Sequence, residues 1–174
     1  MRPDTAAWPR HLVVMGVSGT GKTTVATELA ERYGWQFIEG DSLHPPANIA
    51  KMTAGVPLDD DDRWPWLEVL ASLLAFHQDD GISSVLTCSA LKRSYRDALR
   101  AGLLEGSVFF VHLAAPFPVL LARMESREHF MPPSLLQSQL DVLEPLAADE
   151  PGAVFDVSQP VADVISQIVE VIDG

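Results

Sequence analysis

The stretch Gly16-Val17-Ser18-Gly19-Thr20-Gly21-Lys22-Thr23 decides the fold, because it fits the pattern G-x-x-x-x-G-K-[ST] at every fixed position. Residues 11–15 before it form an apolar run that predicts a buried strand, and residues 24–33 after it carry apolar side chains at helical spacing. Glycines in such a turn let backbone N–H groups surround a phosphate, and the helix N-terminus favours anions. The sequence therefore predicts a nucleoside-triphosphate site rather than a plain strand–helix turn.

Two side chains of this loop have predicted roles in phosphate chemistry. Lys22 is expected to reach the β- and γ-phosphates, and the hydroxyl of Thr23 is expected to bind Mg²⁺. The loop residues predicted to bind ATP are Gly16, Ser18, Gly19, Thr20, Gly21, Lys22, Thr23 and Thr24.

Length and composition exclude several classes of protein. With 174 residues, the chain fits one domain over 11–174, and residues 1–10 with their two prolines predict a loosely held tail. The net charge of −12 argues against a nucleic-acid partner. No apolar run is long enough for a membrane span, and Met1–Thr5 lacks a hydrophobic signal core. The single cysteine, Cys88, suits a reducing cytoplasm and is interpreted as a buried, inert thiol.

The cations of this acidic chain are concentrated in a few segments. None of its 12 lysines and arginines follows Arg127. Such placement favours a kinase whose substrates are anions. The eight cations that fall within candidate functional motifs are Lys22, Lys51, Arg63, Lys92, Arg93, Arg96, Arg123 and Arg127.

Strand and helix signals alternate along the chain, which predicts an α/β fold with a parallel sheet between two layers of helices. The predicted strands are 11–16, 36–39, 83–88, 107–113 and 153–157. The predicted helices are 22–33, 46–53, 64–78, 92–102, 116–127, 133–143 and 161–172. Two segments do not fit a minimal fold of alternating strands and helices. We interpret 41–62 as an acceptor-binding excursion and 125–134 as a lid over the phosphates.

Asp41 is the candidate catalytic base. It follows the second predicted strand, near the edge where a parallel sheet binds ligands, and phosphoryl transfer to an alcohol needs a carboxylate beside the attacking hydroxyl. The alternative is that Asp41 only caps a turn. Glu39 is a candidate to assist Mg²⁺ through a water molecule, since the third strand ends in Cys88-Ser89 and offers no aspartate.

Other charged and polar residues are candidates for binding the acceptor or the phosphates. Arg63 can form a fork onto a carboxylate or phosphate. Lys92 and Arg96 share a helix face by their spacing, as do Arg123 and Arg127, which are expected to contact the γ-phosphoryl group from the lid. The loop histidines His44 and His129 are candidates to hydrogen-bond a polyol or phosphate.

The acidic run Asp59–Asp62 is interpreted as a solvated turn rather than a metal site. Asp62 is the predicted N-cap of the helix that follows, with Pro65 in its first turn.

Several blocks of sequence resemble the gluconokinases, in the shikimate-kinase-like group of P-loop small-molecule kinases. The resemblance covers most of residues 12–146. Beyond the phosphate-binding loop, the blocks that carry it are Gly40-Asp41-Ser42-Leu43-His44-Pro45 with Lys51, Arg63 with Pro65-Trp66-Leu67, Cys88-Ser89-Ala90-Leu91-Lys92 with Tyr95-Arg96-Asp97, and His129-Phe130-Met131-Pro132 with Ser138-Gln139.

This resemblance implies ATP-dependent phosphorylation of D-gluconate at its 6-hydroxyl, a five-stranded parallel sheet in the order 2-3-1-4-5, and a homodimer. It implies catalytic positions at Lys22, Asp41, Arg123 and Arg127, and a Mg²⁺ ligand at Thr23. It also implies that the loop Ser158-Gln159-Pro160 passes the adenine, with Pro160 as a binding residue. Since gluconate has a carboxylate at one end and a primary alcohol at the other, the expected acceptor site is Asp41, His44, Lys51, Arg63, Lys92, Arg96 and His129. The alternatives are a kinase for another small acceptor, such as shikimate, and a non-catalytic nucleotide switch.

Overall fold

The structure is a computed structural model that describes residues 9–126, 132 and 134–174. Its strands are β1 (His11–Met15), β2 (Gln36–Glu39), β3 (Ser84–Thr87), β4 (Val108–Ala114) and β5 (Gly152–Asp156). Its helices are α1 (Lys22–Tyr33), α2 (Pro46–Thr53), α3 (Asp60–Asp79), α4 (Arg93–Arg100), α5 (Phe117–Glu125), α6 (Ser134–Val142) and α7 (Val161–Asp173), with a 3-10 turn at Gly40–Leu43.

The strands form one parallel sheet in the order β2-β3-β1-β4-β5, which confirms the predicted α/β fold and strand order. The central strand β1 pairs with β3 on one side and β4 on the other. The carboxyl ends of β1, β2 and β3 meet at one edge of the sheet, so the phosphate-binding loop after β1 lies near the segments that follow β2 and β3.

Side chains of β1 alternate between two cores, which makes the three-layer architecture. Val13 and Met15 pack in the core that contains α3 and α4, whereas Leu12 and Val14 pack in the core that contains α1 and α7. All four are fully buried. Burial on both faces explains why the strand is continuously apolar rather than alternating.

The start of α3 differs from the sequence prediction. Helix α3 begins at Asp60, and its N-cap is Asp59 rather than Asp62. Asp59 accepts from the Asp62 N–H at 2.8 Å, and the Asp62 carboxylate accepts from the Asp59 N–H at 3.1 Å. This reciprocal capping box places Pro65 inside the helix instead of in its first turn.

Cys88 confirms the interpretation of a buried thiol. It is fully buried, and burial raises its pKa to about 12, so the thiol stays protonated at neutral pH. Across residues 9–126 and 134–174, no helix is long and apolar enough to cross a membrane.

Three buried histidines make stability depend on pH. Burial lowers the pKa of His11, His44 and His112 to about 4 each, with smaller contributions from nearby cations. Within the described part of the chain, neither ring nitrogen of His11 has a hydrogen-bond partner. In the folded state these histidines resist protonation, whereas in the unfolded state they bind protons near pH 6.5. Their contribution to the free energy of unfolding is therefore fully present above pH 6.5 and is lost as pH falls toward 4.

We therefore expect the free energy of unfolding to fall between pH 6.5 and pH 4, by about 1.4 kcal/mol per pH unit for each histidine at most. Urea unfolding at a series of pH values measures this slope. The variant His11→Leu should show a shallower slope than the wild type, because it removes one of the three groups. An unchanged slope in that variant would show that His11 does not contribute.

Candidate active site

The phosphate-binding loop runs from the end of β1 to the start of α1. A side chain at Gly16 would bring a Cβ atom within 2.5 Å of the Leu113 carbonyl oxygen, and φ there is +140°, so the position requires glycine. Lys22 folds back over the loop and donates from Nζ to the carbonyl oxygens of Gly16 at 3.0 Å and Val17 at 3.1 Å. Burial of the ammonium group lowers the pKa of Lys22, and the carboxylate of Asp41 opposes that shift.

A cavity beside this loop collects many of the predicted site residues. Ser18, Lys22, Asp41, His44 and Arg63 all line it. The sequence predicted no roles for its other lining residues, which are Met52, Pro57, Leu58, Trp66, Ser89, Leu91, Leu135, Ser138 and Gln139. The structure thus brings the loop lysine, a carboxylate and a guanidinium to one cavity.

His44 has a defined tautomer. Its ring stacks on Trp66 with centroids 3.9 Å apart. The Asn48 side-chain amide donates to Nδ1 at 3.2 Å, so the neutral ring carries its proton on Nε2. Nε2 lies 4.0 Å from the Asp41 carboxylate, and with a pKa of about 4 the ring is neutral at pH 7. His44 can therefore offer a hydrogen-bond donor beside Asp41.

Arg63 is held in the cavity by Tyr95. Arg63 is buried, with 8% of its surface exposed. Its guanidinium donates from Nη1 to the Tyr95 hydroxyl at 3.1 Å. That hydroxyl donates in turn to Asp60, and Lys92 donates to Asp60 at 3.1 Å. Hydrogen bonds from Tyr95 and Lys92 lower the pKa of Asp60. Arg63 forms no ion pair with a described carboxylate, so its charge remains available to an anion.

Lys51 and Lys92 are close to the cavity but do not line it. Lys51 donates to both carboxylate oxygens of Asp62, at 2.8 and 3.0 Å, and Lys92 is paired with Asp60. The acidic run that precedes Arg63 thus pairs with these two lysines. Among the described residues, no group of three or more His, Cys, Asp or Glu side chains could hold a metal ion.

Arg96 does not occupy the predicted acceptor site. Its side chain is fully buried, Nε donates to Glu150 at 2.7 Å, and Nη1 donates to the Ala90 carbonyl at 2.8 Å. The i,i+4 spacing from Lys92 does not bring the two cations to a common ligand. Arg96 instead ties α4 to the segment before β5, and this position corrects the acceptor-binding role predicted from the sequence.

The segment after β3 contains a residue with an uncommon backbone conformation, between two residues that line the cavity. Ala90 has φ of +47°, which is uncommon for a side chain with a Cβ atom. This conformation lets Ser89 and Leu91 both line the cavity while Ala90 itself is buried.

Helix α6 is joined to the phosphate-binding loop by a side-chain hydrogen bond. The Ser18 N–H donates to Gln139 Oε1 at 2.7 Å. Leu135 and Leu136 of the same helix are buried, so they anchor α6 against the body of the protein. The Ser138-Gln139 pair was part of the resemblance, but no signal in the sequence indicated that it would contact this loop.

A second cavity, of about 210 Å³, also borders the loop. Thr20, Gly21, Thr24 and Arg123 line it, together with Val25, Val157, Gln159, Val161 and Val164. Arg123 donates from Nη2 to the Val157 carbonyl. Arg123 is therefore beside the loop, in a cavity that Lys22 and Asp41 do not line. From the predicted adenine-binding loop, Gln159 lines this cavity, whereas Pro160 is the exposed N-cap of α7 and does not line it.

Arg127 and His129 lie outside the described residues, so their predicted roles in the lid and at the acceptor remain predictions.

These features define a P-loop kinase: the sheet is parallel, the phosphate-binding loop follows its central strand, and Lys22 and Asp41 line one cavity beside the loop. A family model described as an AAA domain matches residues 12–146, which is most of the chain. Gluconokinase from Gluconobacter oxydans is 58% identical over 144 residues, covering 82% of this chain and 80% of that protein. The chain belongs to the gluconokinase family.

Other relatives agree in sequence and in fold. The thermoresistant gluconokinase of Escherichia coli is 42% identical over 162 residues, covering 92% of this chain and 91% of that protein. The crystal structure of a gluconokinase from Sinorhizobium meliloti superposes with a TM-score of 0.84 at 46% identity, covering 96% of this chain and 95% of that one. A sugar kinase from Janibacter reaches a TM-score of 0.90 at 52% identity, covering 95% of each chain.

Proposed function

We propose that this kinase transfers the γ-phosphoryl group of ATP to the 6-hydroxyl of D-gluconate, giving 6-phospho-D-gluconate and ADP. The observation that carries the proposal is the cavity that Lys22, Asp41 and Arg63 line together. Relatives named gluconokinases, similar over more than four fifths of the chain, support the choice of acceptor.

The two ends of gluconate need different partners. Asp41 is suited to orient the primary alcohol and accept its proton as the phosphoryl group is transferred, and the His44 Nε2–H beside it is suited to hold a neighbouring hydroxyl. Arg63 is the best-placed cation for the carboxylate, since Lys51 and Lys92 are already paired with aspartates. Its fixed guanidinium can bind a carboxylate through two parallel hydrogen bonds.

Magnesium fits the donor set near the loop. In kinases the ion keeps several waters and binds substrate phosphates with one or two protein oxygens, so a protein-only cage is not required. The hydroxyl of Thr23 would supply one oxygen ligand, and the carboxylate of Glu39 lies 2.7 Å from that hydroxyl. When bound with ATP, the ion would neutralise charge on the transferring phosphoryl group.

The nucleotide would extend from the loop into the second cavity. Backbone N–H groups of the loop and Lys22 would hold the phosphates, and the cavity lined by Thr24, Arg123 and Gln159 would take the adenosine end. In this position Arg123 is suited to the adenosine half, whereas contact with the γ-phosphoryl group is left to Arg127.

We infer that the acceptor cavity widens to admit gluconate. Its free volume is about 40 Å³, which is smaller than the apolar cavity of roughly 150 Å³ that binds one benzene. One wall is α6, which follows the proposed lid at 125–134, and another is formed by the excursion at 41–62. Movement of a wall and closure of the lid would then admit the acceptor and exclude water during transfer.

The family resemblance also supports a homodimer, and the single buried cysteine supports a cytoplasmic location. We propose both, with residues 11–174 as one kinase domain.

ADP release with Mg²⁺-ATP tests the proposed reaction. We expect strong stimulation by D-gluconate and little by shikimate, AMP or D-glucitol, which has the hydroxyls of gluconate without its carboxylate. Equal stimulation by D-glucitol would contradict a carboxylate-binding role for Arg63, and stimulation by shikimate or AMP alone would replace the acceptor. Slow hydrolysis unaffected by every acceptor would favour a nucleotide switch.

A further inference from the structure

The Glu39 carboxylate is fixed by two threonine hydroxyls. Its Oε2 accepts from Thr23 Oγ1 at 2.7 Å, and its Oε1 accepts from Thr87 Oγ1 at 2.6 Å. Thr23 belongs to the phosphate-binding loop, whereas Thr87 is the last residue of β3 and is 1% exposed. Glu39 therefore links the loop to the end of a neighbouring strand.

The Thr87 hydroxyl is itself held in one orientation. Its oxygen accepts from the Gly40 N–H at 3.0 Å, so its proton is directed to the carboxylate of Glu39. The two strands approach closely here, because a Cβ atom at Gly40 would lie 1.9 Å from the Thr87 carbonyl oxygen. Glu39 and Thr87 are also paired in the register of β2 and β3.

This arrangement determines which atoms Thr23 can present to a cation. Since the Thr23 hydroxyl donates its proton to Glu39, the oxygen lone pairs are left to face a positive ion. Groups that orient a metal ligand commonly affect metal affinity by about 10- to 100-fold. Thr87 supplies this support from the end of β3, where Cys88 and Ser89 follow it and neither is an aspartate.

We propose that Thr87 is a positioning residue for magnesium: its hydroxyl fixes Glu39, and Glu39 orients Thr23 toward the nucleotide-bound ion. The proposal rests on the proposed function for the presence of Mg²⁺-nucleotide, but it does not depend on the identity of the acceptor.

The variant Thr87→Val tests this proposal, because it keeps the shape of the side chain and removes the hydroxyl. ADP binding is measured by calorimetry with excess Mg²⁺ and again with EDTA, in the absence of any acceptor. In the wild type we expect Mg²⁺ to tighten ADP binding. In Thr87→Val that gain should fall by about 10-fold, with metal-free binding unchanged, and Thr87→Ser should restore it.

Ser84→Ala is the matched control, since Ser84 is a fully buried hydroxyl on the same strand whose partner is His77 instead of Glu39. It should keep the wild-type gain. A full Mg²⁺-dependent gain in Thr87→Val would overturn the proposal. If that variant binds ADP poorly without metal, Thr87→Ala takes its place and is judged by the same two outcomes. Failure of gluconate to stimulate turnover would contradict the proposed function and leave this binding result intact.

Discussion

The variant Lys22→Met is expected to lower kcat by about 10³-fold, which is the upper range for removing one group that stabilises charge in a transition state. Methionine keeps most of the side-chain volume and removes the charge. Lys22 is the described cation that lies both on the phosphate-binding loop and on the cavity of Asp41. It is therefore placed to hold negative charge on the phosphoryl group as that group is transferred.

Steady-state turnover with saturating Mg²⁺-ATP and D-gluconate measures this effect, and calorimetry measures ATP binding separately. Arg32→Met is the matched control, because Arg32 is an exposed cation at the other end of α1. It should retain wild-type turnover. A kcat near the wild-type value in Lys22→Met would remove Lys22 from the reaction and leave it only a contact of the loop.

Local constraints made the phosphate-binding loop and α1 predictable to the residue. The motif requires a strand before it and a helix after it, and helix α1 spans Lys22–Tyr33 as the spacing predicted. The order of the strands was not accessible from residue patterns alone, since apolar runs indicate buried strands without saying which ones pair. That order came from the resemblance, and the sheet confirms it.

The start of α3 was mispredicted because two local signals compete there. Pro65 favours a first-turn position. Inside the helix, its missing N–H removes one hydrogen bond, to the carbonyl of Asp61, and Asp61 is an exposed residue. The capping box between Asp59 and Asp62 is stabilising enough to start the helix earlier. The acid run that resembled a simple turn is therefore the first turn of a helix.

The partners of the cations were also beyond the sequence. The spacing of Lys92 and Arg96 predicts a shared helix face, but Lys92 is the N-cap of α4 and has an extended backbone. Arg96 pairs with Glu150, which is 54 residues away. Lys51 pairs with Asp62 across the excursion. Only the fold shows that these cations form ion pairs with carboxylates of the same chain. It also shows that Arg63 is held by the uncharged hydroxyl of Tyr95, so its charge is left for an anion. Helical spacing predicts which side chains are neighbours and says nothing about what packs against them.

The position of Arg123 separates two functions that the sequence had grouped. Its spacing from Arg127 suggested a pair around the γ-phosphoryl group, yet Arg123 lines a cavity that Lys22 and Asp41 do not line. Residues of the loop thus border two cavities, and Lys22 lines the one that contains Asp41. In the proposed function, the nucleotide would extend into one of these cavities and the acceptor would occupy the other.

The variant Asp41→Asn is expected to lower kcat by about 10²-fold or more, as for the loss of a general base, with a smaller change in the KM for gluconate. Asparagine keeps the size of the side chain but cannot accept the proton of the alcohol. Removing the carboxylate also removes a charge that raises the pKa of Lys22. The basic limb of the pH profile of kcat/KM should therefore move to lower pH.

Turnover over a range of gluconate concentrations and pH values separates these effects. Asp61→Asn is the matched control, since Asp61 is an exposed carboxylate in the first turn of α3 and does not line the cavity. It should behave as the wild type. A change confined to KM would make Asp41 a binding residue, because a base acts in the transition state and must change kcat. The shift of the basic limb would still be expected in that case, since it depends on the charge of Asp41 beside Lys22 and not on proton transfer.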